Sequence, residues 1–168
     1  LGMDPRETEK VAGLMNTTLK GHAYAKAGLD VACLDVFARS LNLPLYMLLG
    51  GKLVEHVPIN SSTPVDDVAS MAEKMRSNRA KGFRLHSVKM SGEVSSDVER
   101  IRALADLMTG EDRFTVDCNG GWQVHEALRV ANAVSDIDVY LEQPCASYDE
   151  CLTVRRNTSL PMLMDESA

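Results

Sequence analysis

The sequence predicts an α/β chain: about five β/α units on a parallel sheet, preceded by two helices outside that repeat. Three observations carry this. Strand-like and helix-like segments alternate strictly from residue 57 onward, the pattern of parallel β/α units. Three strand-like runs end in acids: Thr115-Val116-Asp117, Val139-Tyr140-Leu141-Glu142 and Pro161-Met162-Leu163-Met164-Asp165. These acids stand 25 and 23 residues apart, about the length of one strand–loop–helix–loop unit.

The leading segment reads as helical. Asp4-Pro5 is a helix start, with Asp as N-cap and Pro at the first helical position, and the helix is expected to run to about Asn16. His22 to Leu43 is a second helical pattern. Its Ala25, Leu29, Ala32, Cys33, Val36 and Phe37 recur at spacings of three and four and make an ordinary core stripe. Pro44 ends it, and Gly50-Gly51 ends a short helical turn after it.

From there the expected strands are Val57 to Ser61, Phe83 to Lys89, Phe114 to Asp117, Tyr140 to Glu142 and Met162 to Asp165. The expected helices are Val65 to Lys81, Asp97 to Met108, Val124 to Val134 and Tyr148 to Arg156. Side chains alternate across a strand. If Asp117 points to one face, Thr115 shares it while Phe114 and Val116 oppose it. The same parity puts Tyr140 with Glu142, and Leu163 with Asp165. The opposing residues are apolar, suited to lie under helices, so the three acids share an inner face at the carboxyl ends of the strands. That is where α/β sheets and barrels place their sites. By the same parity Ser87 and Lys89 point inward. His86 points to the helices, where a packed, hydrogen-bonded histidine is expected.

The bulk properties narrow the class. The chain has 168 residues, 45% hydrophobic and 25% charged, enough for a sizeable core. A net charge of −6 argues against a nucleic-acid partner. No apolar run reaches the ~20 residues of a bilayer span, so no membrane partner is expected. Leu1-Gly2-Met3-Asp4-Pro5 lacks the pattern of a signal peptide and lacks an initiator Met, so it reads like the middle of a longer protein. Cys33, Cys118, Cys145 and Cys151 are irregularly spaced without a CxxC pair, which argues against zinc. They read as reduced, mostly buried thiols of a cytoplasmic protein.

Three carboxylates converging on a mouth repel one another unless a cation joins them. Oxygen-only ligation suits a hard ion, Mg²⁺ first and Mn²⁺ next. One acid at a strand end is commonplace; three in register on consecutive strands are not. Lys89, at the end of the second strand, faces the same mouth. A lysine beside a dication in a partly desolvated mouth has its charged form disfavoured and can serve as a general base.

At these residues the chain resembles the enolase superfamily, mandelate racemase/muconate-lactonizing branch. The resemblance rests on Val116-Asp117-Cys118-Asn119-Gly120-Gly121-Trp122, Leu141-Glu142-Gln143-Pro144 and Met164-Asp165-Glu166. It is joined by His22-Ala23-Tyr24-Ala25-Lys26-Ala27-Gly28-Leu29-Asp30 and Leu48-Leu49-Gly50-Gly51. Glu142-Gln143-Pro144-Cys145, Ser147-Tyr148, Glu150-Cys151 and Val154-Arg155-Arg156 resemble the branch acting on proline derivatives: hydroxyproline-betaine epimerases and cis-3-hydroxyproline dehydratases.

The resemblance implies a partial (β/α) TIM-type barrel of about five strands, residues 54–168. Before it, residues 1–53 would be the last helices of an α+β capping domain and a linker. It implies Mg²⁺ held by Asp117, Glu142 and Asp165, with no organic cofactor. Lys89 would be the base that removes the proton α to a substrate carboxylate, giving an enediolate. Epimerisation, racemisation or dehydration of a proline-type derivative would follow. Asn119 would orient a ligand, with Ser87 and Glu166 in support; Glu166 is the alternative third ligand, and parity favours Asp165. The expected partner is a small-molecule carboxylate, in a homo-oligomeric enzyme. Competing readings are an acid-sugar dehydratase of the same superfamily and a non-catalytic relative.

The chain departs from the family pattern in one place on the second strand. The frequent Lys-x-Lys is Ser87-Val88-Lys89 here, so base strength rests more on the metal and on burial. A family barrel also has strands after the fifth, with a partner acid or base beyond Ala168. The isolated 168-residue polypeptide is therefore expected not to turn over.

Overall fold

In the computed structural model, which describes residues 2–168, the chain divides into two compact units, one ending at Val57 and one running from Pro58 to Ala168. In the first unit, α1 (Thr8–Thr18) packs on α2 (Ala23–Ser40), which also contacts the one-turn α3 (Leu45–Leu48). The expected helix start at Asp4-Pro5 is not the start observed. The Asp4 carboxylate accepts the Arg6 backbone N–H and pairs with the Arg6 guanidinium, so its oxygens are not offered to a helix, and α1 begins at Thr8. The α2 stripe is not the expected core face either. Leu29 and Val36 remain about half exposed, and Ala38 is the buried residue of the helix. The reason lies in the partners: α1 has no buried residue and α3 is a single turn, so little apolar surface within this unit can cover α2. Gly50 and Gly51, at φ of 103° and 101°, close α3 in a conformation that other residues rarely adopt.

The second unit is a five-stranded parallel sheet in the order β1-β2-β3-β4-β5 with a helix between each successive pair. The strands are β1 (Asn60–Thr63), β2 (Leu85–Lys89), β3 (Arg113–Asp117), β4 (Tyr140–Glu142) and β5 (Met162–Leu163). The helices are α4 (Val68–Ala80), α5 (Val94–Ala105), α6 (Val124–Ala133) and α7 (Tyr148–Arg156). The strict alternation of the sequence is therefore the alternation of the fold.

Several boundaries moved, each for a local reason. β1 starts at Asn60 rather than Val57; Pro58 has no N–H to give a ladder. α4 starts at Val68 because the Asp67 carboxylate caps it, accepting from the N–H groups of Ala69 and Ser70. α5 starts three residues before Asp97, capped by Glu93 through the N–H groups of Ser95 and Ser96. β5 stops at Leu163, two residues short of Asp165. Among the described residues no helix is long and apolar enough to cross a membrane.

The faces follow the expected parity. His86, Val88, Phe114, Val116 and Leu141 are buried under the helices among Met71, Met75, Ile101, Leu104 and Val130. His86 is packed and bonded through Nδ1 to Ser61 Oγ at 3.1 Å. On the opposite face stand Leu85, Ser87 and Lys89; Arg113, Thr115 and Asp117; Tyr140 and Glu142; and Leu163. Register aligns Lys89 with Asp117 and Asp117 with Glu142 at the carboxyl ends, while Glu142 aligns with Leu163.

Candidate active site

The site is built where three strands end side by side. Asp117 is 2% exposed, and its Oδ2 pairs with the Lys89 ammonium from the neighbouring strand. Its Oδ1 accepts the Asn119 backbone N–H at 2.9 Å, and the Asn119 amide donates to Oδ2 at 3.3 Å. The same amide donates to Glu166 Oε1 at 2.9 Å, so Asn119 links β3 to the segment after β5. Asn119 does this from the left-handed region, φ 46°, which asparagine tolerates better than most residues. Ser87 is buried on the same face, two residues below Lys89 and in register with Thr115.

Glu142 reports the electrostatics of the mouth. Burial is the main force holding its carboxyl above the usual carboxylate range. The Asp117 charge adds to the rise, the Lys89 ammonium opposes it, and Asp165 and Glu166 contribute further. These acids therefore feel one another across the strand ends.

Lys89, Asp117, Asn119 and Glu166 thus form one hydrogen-bonded chain, with Glu142 beside it. Asp165 joins through its backbone: its N–H donates to Gln143 Oε1 at 3.0 Å, and its side chain stays exposed beyond the end of β5. Among the described residues no three His, Cys, Asp or Glu side chains are gathered into a group able to hold a metal ion. The donor set still fits a hard dication. It is all oxygen, it comes from adjacent strands and the segment after β5, and burial, aided by the neighbouring Asp117 charge, holds the Glu142 carboxyl above the usual carboxylate range. In this arrangement the Lys89 ammonium supplies the positive charge on Asp117.

Two buried polar residues escaped the sequence reading. Gln143, 1% exposed and at φ 36°, donates from Nε2 to Ser167 Oγ at 2.8 Å and to the Cys145 carbonyl at 2.9 Å. Its Oε1 accepts from the N–H groups of Asp165 and Ser167. It thereby orders the segment that β5 is too short to hold. The signal was the polar side chain at the tip of an apolar strand, directly before Pro144. Asp97, fully buried, is only a helix start by sequence pattern; Ser91-Gly92-Glu93 before it and Trp122 beyond it are the signals of its burial.

The glycines of the β3 loop are there for close approach of backbone. A Cβ on Gly120, whose φ is +75°, would stand 3.1 Å from the Ala146 Cα; one on Gly121 would stand 3.0 Å from the Cys118 carbonyl oxygen. All four cysteines are free, and Cys118, Cys145 and Cys151 are buried. Burial pushes the Cys118 and Cys145 thiols up to about 12.

Residues 70–168 match the family model described as enolase C-terminal domain-like, and residues 1–50 match the mandelate racemase/muconate lactonizing enzyme N-terminal domain. The chain belongs to the mandelate racemase/muconate lactonizing family of the enolase superfamily. It is 38% identical to a cis-3-hydroxy-L-proline dehydratase of Roseibium aggregatum over 99% of the chain and 45% of that relative. It is 31% identical to an N-succinyl-L-Arg/Lys racemase of Bacillus cereus over 99% of the chain and 46% of the relative. Among solved structures it resembles a mandelate racemase/muconate lactonizing enzyme from Roseovarius nubinhibens, at TM-score 0.88 and 40% identity, covering 99% of this chain and 46% of that one. A member of the enolase superfamily from the same organism, complexed with magnesium, matches at TM-score 0.86 and 36% identity, covering 99% and 45%. The chain thus spans a little under half the length of these proteins.

Proposed function

We propose that the protein to which this chain belongs removes the proton α to a carboxylate in a magnesium-dependent reaction. The outcome would be epimerisation, racemisation or dehydration of a proline-type amino-acid derivative. The observation that carries this is the pairing of Lys89 with Asp117 at registered strand ends, with Glu142 alongside. Likeness to the dehydratase of Roseibium aggregatum supports the proline-type substrate.

In this reading Asp117, Glu142 and Asp165 hold the dication, with Glu166 and Asn119 fixing Asp117 and the loop after β5. Bound Mg²⁺ supplies positive charge against the substrate carboxylate and the negative charge that develops on it. Lys89 does the proton transfer: its free amine accepts the α-proton at Nζ, and its ammonium can return one. Ser87 stands buried below it on the same face. Residues 1–53 serve as the end of the capping domain and its linker, and residues 54–168 as the first part of the barrel. In this reading the enzyme is a homo-oligomer and its setting a reduced, cytoplasmic one, the latter consistent with four free thiols.

The test is deuterium incorporation at the α-carbon of proline-derived carboxylates, followed by NMR in D₂O with Mg²⁺, in the full-length protein. Exchange is expected, and Lys89→Ala should slow it by at least about 100-fold. A Lys89→Ala protein that exchanges at the unsubstituted rate would sink the reading.

A further inference from the structure

Asp97 is the fourth residue of α5, and its carboxylate is fully buried. Capping does not explain it, since Glu93 already caps that helix. A buried carboxylate is costly unless its lone pairs are taken, and here five donors take them. Oδ1 accepts from the Ser91 N–H at 2.9 Å, the Ser91 hydroxyl at 2.8 Å and the Arg100 guanidinium at 2.9 Å. Oδ2 accepts from the Gly92 N–H at 2.9 Å and from the Trp122 indole N–H at 3.1 Å.

Arg100 lies on α5 itself; the other four donors come from two different strand-end loops. Ser91 and Gly92 follow Lys89 by two and three residues; Trp122 follows Asp117 by five. The loops press against each other. A Cβ on Gly92, at φ +86°, would stand 3.3 Å from the Gly121 carbonyl oxygen. The Met90 N–H donates to the Asp117 carbonyl at 2.8 Å, so the chain just past Lys89 is already tied to the strand that carries the acid.

We propose that Asp97 is the positioning residue of the mouth. It clamps the loop leaving Lys89 to the loop leaving Asp117, and so sets where the lysine nitrogen and the Asp117 carboxylate stand. This inference rests on the reading of Lys89 and Asp117 given above. In Asp97→Asn an amide N–H would face buried N–H donors, so at least one loop must let go.

Isothermal titration of the full-length protein with Mg²⁺ tests it without a substrate. Loss of folded protein lowers the stoichiometry; loss of positioning weakens Kd. Asp97→Asn is expected to weaken Kd by about tenfold. Should that variant not fold, Ser91→Ala and Trp122→Phe each remove a clamp donor and are expected to weaken Kd by a smaller factor. Glu142→Gln separates the two ways of failing. If the unsubstituted full-length protein does not bind Mg²⁺, or Glu142→Gln binds it equally well, the metal reading fails and the inference falls with it. If Glu142→Gln weakens binding while the folded clamp variants keep the unsubstituted Kd, the inference alone is overturned.

Discussion

His86 shows how one residue can carry a pH dependence. Its ring is buried, and its Nε2 stands 3.5 Å from Asp112 Oδ1 without a hydrogen bond on either atom. Burial holds its imidazole below the usual 6.5, against the pull of the Asp112 carboxylate and with the help of the Arg79 guanidinium. The folded state therefore binds fewer protons than the unfolded chain in the window that opens below 6.5. Stability conferred by neutral His86 is complete above that value and is lost as pH falls through the window. Urea unfolding between pH 7.5 and 5 should show this slope, and His86→Gln should flatten it. Gln143 carries a different burden. Gln143→Ala strands the N–H groups of Asp165 and Ser167 and removes two donated bonds, so it should cost about 2 kcal/mol in the same assay.

At the scale of elements, local chemistry that the sequence displays is obeyed wherever it is also closed locally. α7 is the clearest case: Ser147 and Glu150 form a reciprocal capping box, and the helix runs over the residues its pattern predicts. Ser147→Ala should cost about 1 kcal/mol by thermal unfolding. The faces of β2, β3 and β4 were legible because strand parity needs nothing beyond the strand. Lys89, Asp117 and Glu142 could therefore be placed on one face in advance, and their shared register supports that placement. What was not legible depends on partners far along the chain. Asp97 gains its meaning from Trp122, 25 residues away, and Gln143 from Ser167, 24 residues away. The end of β5 and the exposure of the α2 stripe are set by what lies beside them, which periodicity does not encode.

For the whole molecule, the sheet has β1 and β5 at its two edges, and β5 is only two residues long. Tyr140 is half-buried and Leu163 40% exposed on the face that carries Lys89 and the acids. Unpaired edges and bare apolar side chains favour association. The chain also spans a little under half the length of its relatives. The 168-residue chain by itself is expected to associate in light scattering and to show no turnover with proline-derived carboxylates. A stable monomer that turns over would contradict both expectations.

Trp122 is the chain's single tryptophan, and it sits in the second unit, sealed at 2% exposure. Its emission therefore reports on the parallel sheet in which it sits, whereas far-ultraviolet dichroism also follows the helices of residues 2–57. The two signals followed through one denaturation divide the chain optically. Coincident curves mean one cooperative transition, and separated curves mean that the units melt on their own.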